Sequence, residues 1–138
     1  MLKPNSELLI ECGSHENLKN VLPVIFKIIQ SNQFRGYFAN WKQSWYFPNP
    51  DDTERLLQKI GFRDIQVYLS DQTTTYPDRE SFALFVKTVI MKPFLDHLLD
   101  VKKDQFLKAF LSQMEERQQY FKIGWVLDYV YLDIFARK

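Results

Sequence analysis

Residues 2–13 read LKPNSELLIECG, and the way this stretch is read decides the fold. Leu2, Lys3, Pro4, Asn5 and Ser6 make a turn, in which proline presets one φ and asparagine tolerates a positive one. Glu7 to Cys12 then carries Leu8, Leu9 and Ile10 as an apolar run without alternation, the pattern of a strand covered on both faces. Such a strand expects sheet neighbours. The rest of the chain decides how many it can find.

Working outward, Leu18, Val21, Leu22, Ile25, Phe26 and Ile29 repeat at helical spacing, which predicts a helix over 16–30 with Ser14 as its N-cap and Pro23 kinking or dividing it. Residues 34–50, FRGYFANWKQSWYFPNP, are too irregular for a helix and dense in rings. Asn49, Pro50, Asp51 and Asp52 then combine a cap, a first-turn proline and acids at the positive end of the helix dipole. Leu56, Leu57 and Ile60 supply the inner face of that helix, and Gly61 ends it. RDIQVYLS at 63–70 is a strand. Asp78 caps a helix bearing Phe82, Phe85, Val86 and Val89, which Pro93 interrupts. Phe106, Leu107, Phe110, Leu111 and Met114 stripe a further helix over 102–119. The closing segment, 126–136, is apolar on nearly both faces, so it is expected at the centre of its sheet.

Composition narrows the function classes. At 138 residues, 46% hydrophobic and 25% charged, the chain reads as a single domain spanning 1–138. A net charge of +1 gives no electrostatic case for nucleic acid or an anionic membrane. The apolar runs are too short to span a bilayer, and no secretory leader is expected. One cysteine, Cys12, reads as a buried free thiol in a reducing compartment, which points to the cytoplasm. Two distant histidines and one cysteine make no metal site. Gly13-Ser14-His15 lacks the pattern of a nucleophile elbow, and the adjacent acids Asp51-Asp52 and Glu115-Glu116 diverge on a helix.

LKPNSELLIECG resembles the turn and fifth strand of class I S-adenosylmethionine-dependent methyltransferases, with Asn5-Ser6 in place of the usual glycine pair. WYFPNPDDTERLLQKIGFRDIQVYLSD is similar to the helix, Gly-Phe end and sixth strand that follow there. YPDRESFALFVKTVIMKPFLDHL and DYVYLDIFARK resemble the C-terminal region of the trans-aconitate methyltransferase-like branch, although Tyr131 stands where that branch often carries arginine. The resemblance implies a Rossmann-like α/β fold. Its core would be a three-stranded mixed partial sheet, equivalent to the family's fifth, sixth and seventh strands, with flanking helices. Residues 71–125 would form a helical, lid-like insertion before the last strand. The resemblance covers only the second half of the family's fold. None of the four glycines, Gly13, Gly36, Gly61 and Gly124, lies in a G-x-G pattern, so the N-terminal cofactor-binding half is expected to be absent.

The same resemblance places the substrate side at 36–47 and 76–124. There Trp41, Trp45 and Tyr46 either line an apolar pocket or pack their loop onto the sheet. Arg79 and Lys87 either meet a substrate carboxylate or serve as solvated surface charges. His15 follows the first strand, where ligands gather in α/β sheets, and either touches substrate or helps a proton transfer, or is simply a polar residue near the start of a helix. Two functions follow. One is the substrate-side half of a small-molecule methyltransferase: S-adenosylmethionine is the cofactor of the intact family, and none is expected for this chain alone, which should therefore be inactive. The other is a non-enzymatic binding or assembly module that pairs through Leu8 to Cys12, with a second copy as a homodimer or with a separate cofactor half.

Overall fold

Asn5 takes up φ 65°, and the turn around it feeds directly into β1 (Glu7–Gly13). The computed structural model describes residues 3–138, so Leu2 of the expected turn lies outside the described residues. The turn is pinned to the far end of the chain: the Asn5 N–H donates to the Lys138 carbonyl at 2.9 Å, and the Lys138 N–H donates to the Ser6 carbonyl at 2.9 Å. The chain divides into two compact units, one of 1–18, 44–73 and 128–138, the other of 19–43 and 74–127.

The first unit is a three-stranded sheet and a helix. Helix α2 (Pro50–Lys59) starts as its sequence predicts, with Asn49 Oδ1 accepting from the Asp52 N–H at 2.8 Å. It stops at Gly61, whose φ of 87° is the left-handed value that glycine adopts freely. Strand β2 (Arg63–Asp71) follows, with a register irregularity between Arg63 and Gln66 and Asp64 at φ 50°. Strand β5 (Val130–Arg137) then enters between the other two, giving the order β1-β5-β2. The expected three-stranded partial sheet is therefore present, with the closing strand at its centre. β1 and β2 run one way and β5 the other, so every neighbouring pair is antiparallel and these three strands by themselves are not the mixed sheet expected. One face carries Leu8 and Cys12 of β1, Leu132, Ile134 and Ala136 of β5, and Ile65 and Val67 of β2, packed with Leu57 of α2.

The opposite face corrects the reading of the first strand as buried on both sides. Leu9 is 74% exposed and Tyr68 is 56% exposed. Leu8 packs into the core, whereas Leu9 points outward and Ile10, although on the inward side of the pleat, is 42% exposed. Cys12 is half-buried rather than buried, and burial together with nearby Asp133 pushes its thiol pKa up, which suppresses the reactive thiolate.

The second unit is helical with a small sheet of its own. Helix α1 is Leu22–Ile29, and a 3₁₀ turn spans Arg35–Phe38. Strand β3 is Thr74–Tyr76, and α3, Arg79–Phe85, is capped by Asp78, whose carboxylate accepts from the Ser81 N–H at 2.7 Å. A π-helical turn, Val86–Ile90, leads to the short α4 (Lys92–Leu95) around Pro93. Helix α5 runs Asp100–Phe121, and β4, Trp125–Leu127, pairs antiparallel with β3. Its core is built from rings: Phe82 stacks on Phe110 at 6.2 Å, Phe34 meets Phe106 edge-on at 5.1 Å, and Phe82 lies 5.0 Å from Trp125.

Two predicted elements change shape. The helix expected from Glu16 begins only at Leu22, with Pro23 in its first turn, and residues 15–21 form turns that include buried Leu18 at φ 55°. The closing strand is broken at Asp128-Tyr129, so its first part serves β3 and its second serves β1 and β2.

Leu132 is fully buried in the sheet core. Leu132→Ala is expected to lower unfolding stability by about 2–5 kcal/mol in a urea titration; a loss below about 1 kcal/mol would mean that this core is not tightly packed.

Candidate functional site

The carboxyl end of β1 is a candidate locus whose backbone is locked by side chains. Ser14 is fully buried; its Oγ donates to the Val130 carbonyl at 2.7 Å, and its N–H donates to the same oxygen at 2.9 Å. The same Oγ accepts from the Glu16 N–H at 3.2 Å, so it closes a local turn instead of capping a helix. Buried Asn17 accepts the Val130 N–H on Oδ1 at 3.0 Å. Leu18 completes the lock, its N–H donating to the Asp128 carbonyl at 2.9 Å. Together these bonds satisfy backbone groups where β5 begins, which would otherwise be buried without partners.

His15 projects from this lock. Its N–H donates to the Pro48 carbonyl at 3.0 Å, and its Nε2 lies 3.1 Å from Glu16 Oε1, with the imidazole 42% exposed. The pair stands beyond the carboxyl end of β1, where ligands gather in α/β sheets. Gly13 is what permits the geometry. A Cβ there would lie 2.7 Å from Asn17 Nδ2 and 2.9 Å from the Phe47 ring. Sequence reasoning reached His15 but missed Gly13 and Asn17, whose roles depend on Val130 far along the chain.

The predicted aromatic residues separate. Trp41 belongs to the second unit and is half-buried in a ring cluster, 5.3 Å from Phe94, 6.1 Å from Phe38 and 6.3 Å from Phe26. Trp45 belongs to the first unit, where its ring lies 6.1 Å from Phe47. Tyr46, beside it, is 79% exposed.

Arg79 and Lys87 do come together. Both line a groove of about 400 Å³ along α3 and α5, with Ala83, Leu84, Leu107 and Leu111 as its apolar walls. Arg79 Nε holds Glu115 Oε1 at 2.6 Å, and Lys87 Nζ lies 3.9 Å from Asp104 Oδ1. All four side chains are more than a third exposed, so each pair is worth only about 0–1 kcal/mol and is readily exchanged for another carboxylate. The groove thus offers two exchangeable cations beside apolar walls.

Among the described residues no group of histidine, cysteine and acidic side chains is placed to hold a metal ion, and no helix is long and apolar enough to cross a membrane. No protein-family model and no curated protein matches the chain. Among solved structures it is similar to phosphoethanolamine N-methyltransferase 2 of Haemonchus contortus, in complex with phosphomonomethylethanolamine and S-adenosylhomocysteine. The match has 20% identity and a TM-score of 0.32; it covers 99% of this chain and 27% of that one. At that level the likeness assigns neither family nor activity.

Gly13→Ala is expected to cost about 1–3 kcal/mol in urea unfolding, because buried Asn17 and half-buried Phe47 would both have to give way. Unchanged stability would show that the lock around Asn17 is loose.

Proposed function

We propose that the chain is the substrate-side part of an S-adenosylmethionine-dependent methyltransferase of the trans-aconitate methyltransferase-like branch, acting on a small molecule and inactive by itself. The observation that carries this reading is the coincidence of motif and element. The Lys3-Pro4 turn leads into β1, the Gly-Phe pair at Gly61-Phe62 leads into β2, and the closing DYVYLDIFARK fills the strand between them. Methyl transfer from a sulfonium asks mainly for in-line positioning, so a site without a paired acid and base suits it. Arg79 and Lys87 would hold a substrate carboxylate on the insertion.

The predicted inactivity rests on the missing loop. Close approach of backbone to a cofactor needs a glycine-rich strand-to-helix turn, and no G-x-G occurs in 138 residues. A second reading is favoured by one observation: among the described residues the outer edge of β1 pairs with no strand, and Leu9 on it is 74% exposed. On that reading the chain is an assembly module pairing through Leu8 to Cys12, either with its own copy or with a cofactor half.

The DNA upstream of the Met1 codon and a calorimetric titration with S-adenosylmethionine test the leading reading together. Strands with a glycine-rich loop are expected upstream, in frame or one frameshift away, with no heat of binding for the chain alone. Upstream DNA encoding nothing of the kind would overturn the methyltransferase assignment, and tight binding by the chain alone would overturn its inactivity.

A further inference from the structure

A groove of about 440 Å³ lies between α1 and α5 within the helical unit, separate from the one that Arg79 and Lys87 line. On α5, Gln113, Arg117 and Phe121 follow at four-residue steps along one face, a run of about 12 Å, with Tyr120 beside the last of them. Pro23, Val24 and Lys27 of α1 line the other side. Lys27 Nζ donates to Gln113 Oε1 at 3.1 Å, so the lysine stands at the Gln113 end. The other end is aromatic. Tyr120 and Phe121 meet edge-on at 4.8 Å, and both rings stand largely in solvent, Tyr120 with 80% of its surface. Two adjacent exposed rings beside a groove are a contiguous apolar patch, not scattered surface residues.

The two cations of this groove have no counter-charge. The Gln113 amide that holds Lys27 also donates from Nε2 to Glu116 Oε2 at 3.4 Å, so a neutral group stands between the lysine and the one acid lining the groove. Arg117 Nη2 donates to Asn20 Oδ1 at 3.3 Å, and the guanidinium lies 5.5 Å from the Phe121 ring centroid. Its buried Nε has no hydrogen-bond partner. Among the described residues neither Lys27 nor Arg117 forms an ion pair, whereas Arg79 and Lys87 both do. A half-buried guanidinium held by one long hydrogen bond and a ring is poised to gain from an anion, which it can meet with a planar fork.

We propose that this groove is a second small-molecule site, and that it takes a planar aromatic carboxylate. The carboxylate sits between Arg117 and Lys27, and the ring system lies against Tyr120 and Phe121. The inference goes beyond the methyltransferase reading and does not rest on it. Both halves of the ligand are required. An aliphatic anion leaves the two rings in water, and an aromatic cation is repelled by two positive charges. The volume is that of a small-molecule site.

The test titrates the isotope-labelled full chain with naphthoate and follows its backbone amides by NMR. Saturable shifts are expected in residues 23–27 and 113–121. Naphthylmethylammonium, with the same rings and the opposite charge, and acetate, with the charge and no ring, are expected to leave those amides in place at equal concentration. Arg117→Gln is expected to weaken naphthoate binding about tenfold or more. Lys27→Gln and Tyr120→Ser, both at exposed positions where folding is not at stake, are each expected to weaken it about threefold. Arg79→Gln, in the other groove, should leave it unchanged. No saturable shift with naphthoate, an equal response to either control, or full binding by both Arg117→Gln and Lys27→Gln would overturn the proposal. Binding that Arg79→Gln abolishes would overturn it too, since the anion would then occupy the other groove. So would tighter binding of a short Asp/Phe peptide than of naphthoate, because the occupant would then be a protein segment. Because the methyltransferase reading is judged on upstream DNA and cofactor binding, either can fail while the other stands.

Discussion

The sheet-bearing unit depends on β5 reaching both of its neighbours. β1 and β2 do not pair with each other; each is held through the strand between them, from Glu7 opposite Arg137 to Gly13 opposite Tyr131 on one side, and from Arg63 to Asp71 on the other. The inward residues of β5, Leu132, Ile134 and Ala136, are also the centre of the core that α2 covers. One strand therefore supplies the hydrogen-bond ladder and the apolar contact together. It comes last in sequence, so both of its ladders join residues far apart along the chain, a high-contact-order arrangement.

What was legible in the sequence was what short-range chemistry decides. Asn49 and Asp78 announce helices because a cap bonds to an amide three residues on. Gly61 and Asn5 announce turns because they tolerate positive φ, and both adopt it. The central place of the closing strand followed from its two-sided hydrophobicity. What was hidden depends on distant partners. Ser14 looks like a helix cap, yet its hydroxyl is drawn to Val130, 116 residues away, and the helix starts later. The break at Asp128-Tyr129 was invisible because both flanks are apolar, and only β3 makes the first flank a separate strand. Leu8-Leu9-Ile10 looked buried on both sides because three apolar residues in a row carry no sign of which one faces out.

For the site, sequence located candidates but not their company. Arg79 and Lys87 share a groove because α3 and the π-helical turn after it carry both against α5, which eight residues of separation alone does not reveal. Trp41, Trp45 and Tyr46 look alike as a ring-rich run, yet one is packed among phenylalanines and another is almost fully in solvent. The lock around Gly13, Ser14 and Asn17 gives His15 a fixed base, and it is the kind of strand-end rigidity that a binding site needs.

The central claim is that β5 is the fully held strand and β1 a strand held on one edge only. Residue-resolved hydrogen exchange tests it most directly. The account predicts that β5 amides exchange only on global unfolding, and that the amides of Leu8 to Cys12 pointing away from β5 exchange orders of magnitude faster. Protection of those outer β1 amides equal to that of β5 would contradict it, since the edge would then already be covered.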